Sequence, residues 1–170
     1  MERILLIGGT GMLLGATTYF CSKNKEVVVL ARNKLTSNNQ RITFPIKSLV
    51  CDYHHTEKFI SIIQDEIKEK GAFDTIVIWM HSSAKSSLVS LLSFIDERMP
   101  KTIIYHIKGS NYSTYNDLLQ VGSKLIYREI ILGSQTENGI KRWLTNTEIS
   151  DGVINALTTE ANCSVVGYLE

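Results

Sequence analysis

The chain is poor in the features that mark extended, secreted or polyanion-binding proteins. Only two prolines occur in 170 residues, and 44% of the residues are hydrophobic, which excludes collagen-like and disordered classes. The three cysteines, Cys21, Cys51 and Cys163, are an odd number without a C-x-x-C pair. That argues against a disulfide framework and fits a reducing cytoplasm. Eighteen basic residues against seventeen acidic ones leave a formal charge of +1, so no summed field exists to hold nucleic acid or an anionic membrane surface. Nor does any apolar run approach the roughly 20 residues that span a bilayer. Met1-Glu2-Arg3 before Ile4 to Ile7 has the outline of a secretion signal, but Gly8, Gly9, Gly11 and Gly15 interrupt its core. One cytoplasmic domain over residues 1–170, without nucleic-acid or membrane partners, is the expectation.

Several catalytic motifs are also missing. There is no Gly-x-Ser-x-Gly elbow, no Walker lysine after the glycines and no His-Glu-x-x-His helix, which leaves hydrolase and kinase readings without a motif. Cys51, His54 and His55 do not make a zinc site, because adjacent histidines at a helix start point about 100° apart.

What is present is alternation. Short apolar, β-branched runs at Ile4–Ile7, Val27–Leu30, Leu49–Cys51, Thr75–Trp79, Ile103–Tyr105, Ile130–Leu132 and Val165–Leu169 read as strands buried on both faces. Between them, Met12–Ser22, Thr56–Lys70 and Ala84–Glu97 read as helices. In the second, Phe59, Ile60, Ile63 and Ile67 form one stripe. Thr145-Asn-Thr-Glu148 is a capping box opening a last helix, with Trp143-Leu144 ahead of it as a staple or core anchor. The polar stretch Arg32–Ile46 reads as a weak helix or extended connection. The pattern predicts an α/β class: a doubly wound, mostly parallel Rossmann sheet with helices on both faces, its strand order beginning 3-2-1-4-5.

Function is carried chiefly by Arg3-Ile-Leu-Leu-Ile-Gly8-Gly9-Thr10-Gly11-Met12-Leu13-Leu14-Gly15, a strand running into a glycine-rich turn and then a helix. Gly8 permits a sharp turn, Gly11 permits close approach of a pyrophosphate, and the amides from about Gly11 to Leu13 face it from a helix N-terminus. The second strand completes the βαβ unit this fingerprint requires. Beyond that strand the chain reads Ala31-Arg32-Asn33-Lys34. A small residue stands where an acid would bind the ribose 2′-hydroxyl of NAD, and cationic groups able to pair with a 2′-phosphate follow. NADP is therefore favoured over NAD.

These residues resemble the short-chain dehydrogenase/reductase superfamily, in particular its extended and atypical members with a Gly-x-x-Gly-x-x-Gly loop. Where that pattern has its third glycine this chain has Leu14, with Gly15 one residue late. The resemblance implies a cofactor set of Gly8, Thr10, Gly11, Met12, Leu13, Arg32 and Asn33, joined by Asp52 and Tyr53 near the adenine. Trp79-Met-His81-Ser82-Ser-Ala84 occupies the place of the family's cofactor-lining stretch after the fourth strand, so His81 and Ser82 join the set. It also implies a Tyr-x-x-x-Lys dyad for carbonyl reduction, with the tyrosine giving the proton. The only such spacing, Tyr19 to Lys23, lies on the first helix, and Tyr105 to Lys108 is one residue short. His81, Ser110 and Tyr112 are the remaining candidates for catalysis, with Lys108 and Tyr115 nearby. Two functions stay open: an NADP(H)-dependent oxidoreductase with a non-standard acid, and a non-catalytic NADP(H)-binding redox sensor or partner module. The family's oligomeric state does not carry over, because its usual interface uses the helix that bears the dyad.

Overall fold

A computed structural model describes residues 1–35, 46–99, 101–110 and 125–169. Seven parallel strands form one sheet: β1 (Arg3–Ile7), β2 (Glu26–Ala31), β3 (Lys47–Val50), β4 (Thr75–Ile78), β5 (Ile103–Gly109), β6 (Ile126–Leu132) and, after two outlying strands, β9 (Cys163–Val166). Their order is β3-β2-β1-β4-β5-β6-β9, so the expected 3-2-1-4-5 beginning is present and the sheet extends two strands further. Every residue of β1 and of β4 is buried. Strands covered on both faces need apolar side chains at every position rather than at alternate ones.

Ile7 lies in register with Leu30 of β2 and Ile78 of β4, which brings the carboxyl ends of the three central strands to one edge. On one face, helices α1 (Leu14–Ser22) and α4 (Asn146–Thr159) cover Ile4, Leu6, Val27, Val29 and Val77. On the other, α2 (Thr56–Lys70) and α3 (Lys85–Arg98) cover Leu5, Ile7, Val28, Ile76 and Ile78 with Phe59, Ile63, Leu88, Leu91 and Ile95. At the head of α4 the capping box is complete: the Glu148 amide donates to Thr145 Oγ1 at 3.2 Å, and the Thr145 amide donates to Glu148 Oε2 at 2.8 Å. Leu144 ahead of it is buried in the cluster that holds Ile149, as a hydrophobic staple requires. Trp143 does not share that role, being 53% exposed.

Several boundaries differ from those predicted, each for a local reason. α1 begins at Leu14 rather than Met12, because residues 8–13 remain a turn closed by the Leu14 amide on the Gly11 carbonyl. β5 and β6 run past their apolar stretches because His106, Lys108, Tyr127 and Glu129 interact across the two strands instead of ending them. Between β6 and α4 lies an antiparallel hairpin, β7 (Ser134–Glu137) and β8 (Ile140–Trp143). Asn138 and Gly139 both have positive φ, the geometry of a type I′ turn that Asn-Gly favours. β9 stops at Val166 because Gly167 at φ 76° turns the chain, after which Tyr168 bridges to Ser134. Most of the connection 32–46 and the segment 111–124, with Tyr112 and Tyr115, fall outside the described residues.

Candidate functional site

The glycine turn leaves β1 at the carboxyl edge. Gly8 has φ 82°, and a Cβ there would lie 2.5 Å from the Trp79 carbonyl oxygen, so both conformation and space demand glycine. Two hydroxyls hold the turn from behind: Thr17 Oγ1 donates to the Gly9 carbonyl at 3.0 Å, and Ser150 Oγ of α4 donates to the Met12 carbonyl at 2.8 Å. The amides of Thr10, Gly11, Met12 and Leu13 donate to no acceptor among the described residues. A Cβ on Gly11 would meet nothing within 4 Å. Four unspent donors beside open space at a helix N-terminus are the kind of group that can donate to an anion. Gly15, displaced from the family pattern, faces another partner: its Cβ would lie 2.9 Å from Ser150 Cβ, so it lets α4 approach α1.

At the neighbouring strand ends, Ala31 closes β2, and Arg32, Asn33 and Lys34 follow, all exposed. The Cys51 amide donates to the Ala31 carbonyl at 3.0 Å, which brings Asp52 and Tyr53 beside them. Asp52 Oδ1 accepts from the His54 amide at 2.9 Å and pairs with His54 Nδ1 at 2.8 Å. Those two contacts, the amide first, hold the Asp52 carboxyl below its ordinary range. The Tyr53 hydroxyl accepts from the His81 amide at 3.2 Å. His81 caps a short 3₁₀ turn, Ser82–Ala84, with Nδ1 accepting from the Ser83 amide at 3.2 Å. Asp52, Tyr53, His81 and Ser82 therefore gather on one edge.

The candidates for catalysis are scattered. Tyr19 and Lys23 stack on one another at the far end of α1, with Nζ 5.3 Å from the ring centroid, near the amino edge of the sheet. Tyr105 and Lys108 lie on opposite faces of β5: Tyr105 packs with the α1 and α4 cluster, and Lys108 stands over the Tyr127 ring on the other side. Lys108 is buried and paired with Glu129, and Ser110 is exposed in the turn after β5.

Two sets of contacts lie beyond what the sequence shows. One is the buried polar face of β5 and β6, where His106 Nδ1 meets the Tyr127 hydroxyl at 2.6 Å. Burial, with the Lys108 charge, pushes the His106 pKa down to about 3. Its signal was period-2 polarity, at 106 and 108 against 127 and 129. The other is His54 with Ser83, joined at 2.8 Å between Nε2 and Oγ where the starts of α2 and α3 meet; there Thr56 and Ser87 also join hydroxyls at 2.7 Å. No local sequence signal spans those 29 residues.

No protein-family model matches the chain, and no curated protein matches it in sequence. Solved structures do. A short-chain dehydrogenase from Streptomyces avermitilis is similar at TM-score 0.67 and 13% identity, over 98% of this chain and 88% of its own. A metagenomic short-chain oxidoreductase in complex with NADP is similar at TM-score 0.62 and 15% identity, over 99% and 96%. An alcohol dehydrogenase from the archaeon Thermococcus sibiricus, complexed with 5-hydroxy-NADP, is similar at TM-score 0.67 and 9% identity, over 99% and 96%. The chain has the α/β Rossmann-type fold of the short-chain dehydrogenase/reductases.

Proposed function

We propose that the chain binds NADP(H) along the carboxyl edge of its sheet and acts as an oxidoreductase of the short-chain dehydrogenase type. The observation that carries this reading is the set of four undonated amides from Thr10 to Leu13 around the open space at Gly11. They would hold the pyrophosphate, with Gly8 giving the turn its shape. Arg32 and Asn33 would meet the 2′-phosphate, since Ala31 offers no acid to the 2′-hydroxyl of NAD. The second oxygen of Asp52 would accept the adenine amino group, and Tyr53, His81 and Ser82 would line the cleft. When bound, the nicotinamide supplies hydride exchange with a carbonyl or alcohol. The matching proton falls to His81, whose Nδ1 is tied to Ser83 and whose Nε2 is left to exchange it. NADP or its 5-hydroxy derivative in two structural neighbours supports the dinucleotide class.

A second reading, an NADP(H)-binding sensor or partner module without turnover, is favoured by one observation. The only Tyr-x-x-x-Lys lies on α1, at the opposite edge of the sheet from the glycine turn. Calorimetric titration with NADPH, NADP, NADH and NAD, followed by NADPH absorbance with a panel of carbonyl compounds, separates the readings. Binding that depends on the 2′-phosphate with turnover supports the oxidoreductase, binding without turnover supports the sensor, and no binding refutes both.

A further inference from the structure

The contacts at the starts of α2 and α3 form an ordered chain: Asp52 Oδ1 to His54 Nδ1 at 2.8 Å, then His54 Nε2 to Ser83 Oγ at 2.8 Å. We infer that Ser83, His54 and Asp52 are a nucleophilic triad that transfers acyl groups from small activated esters or thioesters to water. The inference shares Asp52 with the dinucleotide reading, which uses that carboxylate's other oxygen, and its test is run without dinucleotide so that either reading can fail alone. It also stands without any Gly-x-Ser-x-Gly motif, since such triads are defined by geometry and role rather than by sequence position.

The carboxylate fixes the tautomer. With the Nδ1 proton donated to Asp52, His54 presents Nε2 as an acceptor, and the Ser83 hydroxyl donates to it. His81 Nδ1 also lies 2.8 Å from that oxygen, so the one hydroxyl proton can go to either imidazole, and the attacking state is the one in which it is donated to His54. Of the two, His54 is the one whose other ring nitrogen is held by a carboxylate, which fixes its ring and tautomer toward the serine. Ser83 stands in the turn that leads into α3, where the amides of the helix's first turn and its positive end favour a developing oxyanion. The His54 and Asp52 side chains are 39% and 38% exposed, an open surface that admits small acyl donors rather than enclosing large ones.

In the first step Ser83 Oγ bonds to the acyl carbon, its proton passes to His54 Nε2, and the carbonyl electron pair moves to oxygen. Collapse of that adduct expels the alcohol or thiol, which takes the proton from Nε2. Water then attacks the acyl-serine with His54 again accepting the proton, releasing the carboxylic acid and restoring the Ser83 hydroxyl. Asp52 is a positioning residue.

The test treats the full chain with a fluorophosphonate probe, maps the adduct by mass spectrometry, and measures p-nitrophenyl acetate hydrolysis. The expected result is one adduct per chain on Ser83, lost in Ser83→Ala and kept in Ser86→Ala. Hydrolysis should fall on the order of 100-fold in Ser83→Ala and His54→Ala, with added imidazole restoring part of the His54→Ala rate. Asp52→Asn should lower kcat with KM unchanged. Absence of an adduct on Ser83 in the wild-type chain, or hydrolysis by folded Ser83→Ala at the wild-type rate, overturns the proposal.

Discussion

The two edges of the sheet are built on opposite principles. At the amino edge one cluster of strong polar groups is spent: the Arg3 amide donates to Asp74, and its guanidinium reaches Glu26, Glu66 and the Gly71 carbonyl while lying over the Phe73 ring. Buried Glu66 takes Lys47 as well, at 2.6 Å. At the carboxyl edge the Thr10 to Leu13 amides donate to nothing described, Arg32 to Lys34 stand in solvent, and the Asp52, His54 and Ser83 contacts are exposed. The Arg3 cluster, its groups paired with one another, ties β1, β2, β3 and α2 together. The carboxyl edge keeps donors in reserve, as open α/β sheets do where they take ligands.

The largest effect expected from breaking this contrast is at the amino edge. Arg3→Ala leaves Glu66 buried with one exposed partner, and should lower stability by about 3–5 kcal/mol in urea denaturation, with dinucleotide affinity of the folded protein little changed. Gly11→Asp does the reverse. It fills open space, so stability should stay within about 0.5 kcal/mol of wild type, while calorimetry should show NADPH binding lost by 100-fold or more, about 2.7 kcal/mol. Arg32→Ala should weaken NADPH by about 1.5–3 kcal/mol and leave NADH within a few tenths, the loss of one charge-assisted contact to the 2′-phosphate. Equal losses would remove Arg32 from that role.

Between the edges, His106 gives a pH test. Its folded-state pKa of about 3 lies below the unfolded value near 6.5, so the unfolded chain binds the extra proton in that window. Its contribution is complete above about 6.5 and is lost as pH falls toward 3, at up to about 1.4 kcal/mol per pH unit. Urea midpoints measured through that range should fall less steeply in His106→Gln. The smallest effect is at the capping box, where Thr145→Ala should cost about 1 kcal/mol, read as a lower thermal midpoint with binding intact.

How far the sequence foretold each edge follows from the length of the signals. The β1 turn and the central strand order were legible because full burial on both faces writes continuous apolar runs, and a glycine turn is local. β5 beyond Tyr105 was not, because His106 and Lys108 are polar side chains buried by partners on another strand. The hairpin is legible only at its Asn138-Gly139 turn, since Ser134–Glu137 holds no apolar residue to mark a strand. By spacing alone Gly15 is a displaced member of the phosphate pattern. It is a helix-packing residue, and its partner Ser150 lies 135 positions away. The His54–Ser83 contact depends on α2 and α3 starting side by side, which no spacing within either segment encodes.

The most direct measurement is amide hydrogen exchange of the full chain with and without NADPH. The account predicts slower exchange at Thr10, Gly11, Met12 and Leu13 on addition of NADPH, with the amides around Arg3 and Asp74 unchanged. Unaltered exchange from Thr10 to Leu13 at saturating NADPH would contradict it.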